Sequence, residues 1–384
     1  MTTPDPGLPE LIEWLASDDC HDGDDAGLVV GLGRRLRAMG LPVDRFSLHV
    51  RTLHPEILAR TIAWSEGEPV DVRSREHGVQ RLPAYLDNPI RAVVVEGREW
   101  LSLRSEDGRP LLDDLDVFQG HGLMAMEGAP LVMAHGRCTA AVFATKRPEG
   151  FGPDGVALLR RLAPALRGAC EIRVLRRTEA TLLDTYLGPQ SGEQILAGHV
   201  RRGDVQTLEA ALLLCDLRDF TTMSNRLPPA EMLDRLNLYF DQVVPAIEAN
   251  GGEILKFMGD GVLAFFHRDA GPSASCTAAF DAARRALDHI AALPRVDPPL
   301  VAGIALHHGQ VAYGNIGSGH RLDFTVIGRD VNLVSRIQGI CGSTGEPLLM
   351  SARFAQILDR PGCRPVGRYP LRGFGEPAEL FAAP

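Results

Sequence analysis

EAALLLCDL, residues 209–217, is an unbroken apolar run that ends in an acid, and its reading decides the fold of the second half of the chain. A run of this length without alternation suits a buried strand. Downstream, Pro228 and Pro229 open a helix whose Met232, Leu233, Leu236, Phe240, Val243, Val244 and Ile247 share one face, and Pro245 is expected to bend its far end. Gly251 and Gly252 make a turn. EILKFM (253–258) and VLAFFH (262–267) then flank Gly259, Asp260 and Gly261, a strong hairpin signal. A helix over 273–292 follows, then strands at LVAGIALHHG (300–309), QVAYGNIG (310–317) and DFTVIG (323–328), and a helix over 330–341. The order β, α, β, β, α, β with further strands predicts an α+β unit, a ferredoxin-like sheet with its helices on one face.

The whole chain has 384 residues, 45% hydrophobic and 23% charged, room for two or three domains of roughly 150 residues. Asp and Glu number 49 against 40 Lys and Arg, a net charge of −9 that repels nucleic acid and anionic lipid. No apolar run approaches the roughly 20 residues of a membrane span, and the N-terminus lacks a basic start followed by an apolar core. The expectation is a cytoplasmic protein with neither a nucleic-acid nor a membrane partner. Seven cysteines without a CxxC pair read as small core side chains in a reducing compartment.

The first half alternates short elements. Leu28, Leu32, Leu36 and Met39 predict a helix over 27–39, stopped by Gly40 and Pro42. RFSLHV (45–50), RTIAW (60–64), RAVVV (91–95), APLVMAH (129–135) and CTAAVFAT (138–145) read as strands of one antiparallel sheet with flanking helices. No ligand spacing joins His49, His54, His77, His121 and His135, which read as structural or surface residues. With no nucleophile or phosphate loop, this half reads as a binding or sensing module. From Phe151 a long amphipathic helix follows, with Leu159, Leu162, Leu166, Ala169 and Cys170 on one face and Pro164 placed to kink or divide it. It either packs on its own domain or leaves it to pair with its copy in a dimer. The polar, Gly-rich stretch 187–207 reads as a connector.

Two acids stand where candidate chemistry begins. Asp216 ends the buried strand and Asp260 sits at the hairpin tip, and a sheet that sets these segments side by side brings two carboxylates together. Such a pair repels and recruits a divalent cation, and all-oxygen ligands suit Mg²⁺ or Mn²⁺. The plainer alternative is that Asp260 serves the turn and Asp216 caps the next segment. Asn332 and Arg336, four apart, project from one helix face. An amide and a guanidinium facing a cleft suit an anionic transition state, although either alone would pass for a solvated face.

Together, CDLRDFT (215–221), EILKFMGDG (253–261) and FTVIGRDVNLVSR (324–336) resemble the motifs of class III adenylyl cyclases, a likeness running from Thr207 to the C-terminus. The resemblance implies a ferredoxin-like palm over 207–384 that works as a homodimer, with two active sites at the subunit boundary, converting ATP to 3′,5′-cyclic AMP and pyrophosphate. It implies that Asp216 and Asp260 hold two metal ions, helped by the Leu217 carbonyl. Asn332 would come from the partner chain to orient the ribose, and Arg336 to stabilise phosphate charge. Lys256 and Thr325 match the purine-reading positions, a pair that favours ATP where guanylyl cyclases carry Glu and Cys. Thr325 departs from the more usual Asp and resembles a subgroup some of whose members respond to bicarbonate. Arg372, in YPLRGFGEP, matches a triphosphate-contacting position with Arg for Lys, and Arg321 is a further basic candidate. The alternatives are a guanylyl cyclase and a regulator that binds nucleotide without turnover. Separately, GRCTAAVFATKRPEGFGPDGVALLRRLAPAL (136–166) resembles the end of a GAF-type sensory domain, which implies a sensory domain over 1–175 with a small-molecule or ion effector, joined by a helical connector over 176–206.

Overall fold

The computed structural model describes residues 7–96, 100–112, 118–134, 136–294, 296–318 and 321–383, which form two compact units divided after Thr185. His135 and the far end of APLVMAH lie outside the described residues.

Six strands make the first unit's antiparallel sheet: β1 (Arg45–Arg51), β2 (Ile57–Ser65), β3 (Asp71–Glu76), β4 (Leu101–Arg104), β5 (Ala125–Val132) and β6 (Cys138–Thr145), ordered β3-β2-β1-β6-β5-β4. Strand alternation sends Phe46, Leu48, Val50, Ile62 and Trp64 to one face, where they bury against helices Leu8–Ala16, Asp25–Ala38 and Gly152–Leu187. The Asp25–Ala38 helix starts where the Asp24 carboxylate accepts the Gly27 N–H at 2.7 Å, and stops at Gly40, whose φ of 89° is left-handed. Ile90, Val93, Phe118, Met126 and Val142 form a second, smaller core.

One strand expectation fails. RAVVV is helical: Ala92–Glu96 is a π-helical turn following the short helix Pro89–Arg91. Asn88 caps that helix by accepting the Ile90 N–H at 2.9 Å. Ile90 and Val93, three apart, are both buried, a helical spacing that outweighs the β preference of three valines. The long helix runs unbroken through Pro164, with Leu159, Leu162, Leu166, Cys170 and Val174 in the core of its own unit and Leu182 and Tyr186 exposed beyond it. The stretch 187–207 is more ordered than its composition predicts, containing helix Pro189–Leu196 and the start of the next strand. Buried hydrogen bonds tie it down: Ser191 Oγ donates to Glu253 Oε1 at 2.7 Å, and the Tyr313 hydroxyl donates to the same oxygen at 3.1 Å. All seven cysteines are free and six are buried. No helix among the described residues is long and apolar enough to cross a membrane.

The second unit holds an eight-stranded sheet of β7 (Val205–Leu217), β8 (Glu253–Met258), β9 (Gly261–Phe266), β10 (Ala302–Ser318), β11 (Arg321–Ile327), β12 (Leu348–Ser351), β13 (Arg364–Tyr369) and β14 (Ala378–Ala382). Its order is β13-β14-β12-β10-β7-β9-β8, with β11 paired to β10. Along β7, Ala211, Leu213, Cys215 and Leu217 face helices Pro229–Ala249 and Pro272–Ala292, while Ala210, Leu212 and Leu214 face Val334, Ile337 and Cys341 of helix Arg329–Thr344. The expectation of helices on one face is therefore corrected, because both faces of this apolar run need cover. The separate strands expected at 300–309 and 310–317 are one strand, β10. Gly309 at their junction is no breaker: a Cβ there would lie 2.1 Å from Asp330 Oδ2, so glycine admits that carboxylate, which accepts the Gln310 N–H at 2.7 Å.

His49 gives the first unit an acid sensitivity. Burial, with Arg45 nearby, pushes its pKa down from 6.5 to about 3, so the folded state keeps it neutral. Below pH 6.5 the unfolded chain binds a proton that the folded one refuses, so stability is full above that pH and falls as pH drops toward 3. The loss is about 2 kcal/mol by pH 5, at 1.36 kcal/mol per unit. All three tryptophans, Trp14, Trp64 and Trp100, lie in this unit, so melting followed by tryptophan fluorescence reads it directly. A His49→Gln protein should lose this part of the pH dependence, and an unchanged slope would contradict it.

Candidate active site

Asp216 occupies the last turn-facing position of β7 on the face of Leu212 and Leu214, and β9 runs antiparallel beside it with Cys215 opposite Val262. That register brings the β8–β9 turn next to the strand end. Gly259, with a left-handed φ of 68°, and Asp260 form the turn between Met258 and Gly261, which pair with each other. At Gly261 a Cβ would stand 3.7 Å from Asp216 Oδ1, so the hairpin can lie close against the acid. Asp260 Oδ2 accepts the Leu217 N–H at 3.1 Å, and the two carboxyl groups are within hydrogen-bonding reach of one another.

The electrostatics of this pair are those of two carboxyl groups crowded together out of solvent. Burial pushes the Asp216 carboxyl up to about 7, and the adjoining Asp260 carboxyl adds to the rise. Asp216 Oδ1 is buried with no hydrogen-bond partner among the described residues. An unpaired buried acceptor beside a second carboxylate fits a divalent cation, and the oxygen-only donor set fits a hard one. No group of three or more His, Cys, Asp or Glu side chains able to hold a metal occurs among the described residues, so the remaining ligands would be backbone, water or substrate.

Asn332 and Arg336 both lie on helix Arg329–Thr344, and Asn332 stands apart from the acids within one chain. Cys341, near the end of their helix, packs over Gly303, which pairs with Asp216. The start of the helix is pinned beside Gly309 and Gln310 by Asp330. At ~1.5 Å per residue, Asn332 lies about 13 Å along the axis from Cys341. Both side chains are exposed and make no hydrogen bond or ion pair among the described residues.

Lys256 and strand β11 do meet. A β-bulge between Ile254 and Lys256 shifts the register immediately before the lysine, and its ammonium reaches Asp323 Oδ2 at 2.5 Å. Asp323 shares a face of β11 with Thr325, so Lys256 is drawn to the strand that carries the other candidate base-reading residue. Arg372 is exposed in the turn after Leu371, and Arg321 is exposed at the start of β11. Among the described residues, no hydrogen bond or ion pair brings either side chain to the acid pair.

Sequence reasoning passed over two acids here. Asp323 was legible only as a strand residue two positions from Thr325. Asp330 was legible as an acid in the first helical turn, but its role as the clamp of that turn onto β10 needs the Gly309 approach.

The chain matches the family model for the adenylate and guanylate cyclase catalytic domain over residues 205–381. It is 32% identical over 187 residues to an adenylate cyclase of Anabaena cylindrica, covering 46% of this chain and 35% of that protein. It is 28% identical over 194 residues to adenylate cyclase 1 of Rhizobium meliloti, covering 49% of this chain and 29% of that one. The chain thus spans about a third of the length of these relatives. A solved bacterial light-regulated adenylyl cyclase shares the fold, at 19% identity and a TM-score of 0.50 over 67% of this chain and 85% of that one. Residues 205–381 are therefore similar to the catalytic domains of adenylate and guanylate cyclases.

Proposed function

We propose that this protein is an adenylyl cyclase, forming 3′,5′-cyclic AMP and pyrophosphate from ATP in sites shared between two copies of the chain. The single observation that carries the reading is the convergence of Asp216 and Asp260 at one end of β7, with Asp216 Oδ1 buried and unpartnered among the described residues. Asp216, Asp260 and the Leu217 carbonyl would hold two divalent ions, Mg²⁺ or Mn²⁺. When bound, these supply Lewis acidity that lowers the pKa of the ribose hydroxyl and offsets triphosphate charge.

The chain's own residues supply position and specificity. Asn332 of the second copy orients the ribose so that its 3′-oxygen lies in line with the α-phosphorus. The new bond joins that oxygen to the α-phosphorus, the bond to the bridging oxygen breaks, pyrophosphate leaves, and the hydroxyl proton passes to water or a substrate phosphate. Arg336 stabilises charge developing on the phosphate oxygens. Lys256 and Thr325 read the adenine edge, and Arg372 meets the triphosphate. The separation of Asn332 from the acids within one chain supports a site completed by a partner. The first unit serves as the regulatory module.

Initial rates with ATP and GTP together, with Mg²⁺ or Mn²⁺, test the reading. Cyclic AMP should dominate. Binding of ATP without turnover would favour a silent regulator, and preference for GTP would overturn the roles of Lys256 and Thr325. The double change Lys256→Glu, Thr325→Cys should move the ATP-to-GTP ratio of kcat/KM toward GTP by about a hundredfold, since a site built to hydrogen-bond one edge leaves its groups unpaired against the other. The same substitution also frees Asp323 from its lysine, so Lys256→Gln alone is the control for simple loss of that ion pair.

A further inference from the structure

On the sheet face opposite the long helix, the first unit contains a cavity of about 380 Å³ between β1, β2, β3 and the chain from Val79 to Val94. Its size is that of a small-molecule site. The floor follows from register: His49 pairs with Thr61 and Arg51 with Ala59, so these side chains leave the sheet on the face that Leu48 and Val50 do not use. His49 is already committed, with its two ring nitrogens 3.0 and 3.1 Å from the hydroxyls of Ser47 and Thr61. Leu82, Tyr85, Ile90, Val94 and Phe118 supply apolar walls.

Guanidinium groups stand against this apolar lining. Arg51, Arg60, Arg75 and Arg91 line the cavity, and no Asp or Glu is among its described lining residues. Arg51 and Arg91 make no hydrogen bond or ion pair among the described residues. In a chain with nine more acids than bases, a cavity lined by arginines with no Asp or Glu among its described lining residues is an exception to the general charge balance. Like charges beside low-dielectric walls repel, and an anion that enters relieves them while forming charge-assisted hydrogen bonds.

We infer that the first unit binds a small amphipathic organic anion here, its apolar body against Ile90, Val94 and Phe118 and its carboxylate or phosphate met by Arg51 and Arg91. The inference is independent of the cyclase reading, because its test reads binding and not turnover.

Isothermal titration of the full chain with octanoate and phenyl phosphate, and with their neutral counterparts 1-octanol and phenol, examines it. At least one anion should bind, with its neutral counterpart at least about tenfold weaker, the worth of one charge-assisted hydrogen bond. Which anion binds separates a carboxylate ligand from a phosphate one. Arg51→Ala and Arg91→Ala should each weaken that anion by about tenfold with circular dichroism and melting temperature unchanged, and Arg91→Lys should restore part of the loss. Ala84→Trp, at an exposed position lining the cavity, should block anion binding while leaving the fold intact. Equal binding of the neutral compounds, binding indifferent to both arginines, or no binding of either anion at millimolar concentration would each overturn the inference.

Discussion

Asp216→Asn is expected to reduce cyclic AMP formation by at least about a thousandfold, some 4 kcal/mol of lost transition-state stabilisation at 1.36 kcal/mol per decade. The substitution keeps the shape of the side chain and removes one negative charge from a pair that must hold cations. Its effect on stability should have the opposite sign. Burial and Asp260 already push the Asp216 carboxyl up to about 7, so in the metal-free protein the charged form is held at a cost that the amide does not bear. The melting temperature without divalent ions should therefore stay level or rise while activity is lost. A protein that retained more than a tenth of its rate would sink the assignment, and one that lost rate and melting temperature together would make Asp216 a structural residue.

The second large effect is a recovery. Asn332→Ala should also be nearly inactive, by about a hundredfold or more if it removes one oriented hydrogen bond from the transition state. Mixed with Asp216→Asn, it should regain activity. In a two-fold dimer each site would take its acids from one chain and its Asn and Arg from the other. A mixed dimer then has one site with both defects and one with neither. With free exchange half of the dimers are mixed, so recovery approaches about a quarter of the wild-type rate. Asn332, exposed and with its side chain unpartnered among the described residues, and its distance from the acid end of β7 motivate this outcome. Demonstrated subunit exchange with no return of activity would place all the groups in one chain, against the geometry of helix Arg329–Thr344.

What the sequence by itself determined is what local rules encode. The unbroken run Ala210–Cys215 read as a buried strand and is one, Gly259–Asp260 read as a hairpin tip and is one, and the four-residue spacing of Asn332 and Arg336 set both on one exposed helix face. Each follows from a repeat or a turn preference spanning a few residues. Local preference also failed where a stronger local partner intervened, as when the Asn88 cap carried RAVVV into a helical turn.

Only the tertiary structure decided the contacts between residues far apart in the chain. It placed a helix on the second face of the β7 sheet and fused two expected strands into β10, with Asp330 seated over Gly309. It joined Lys256 to Asp323 and left an arginine-lined cavity where β1 and β2 pair. Side-chain periodicity says which face a residue takes, but strand register and the element packed opposite decide which distant group it meets, and that pairing is a property of the closed sheet.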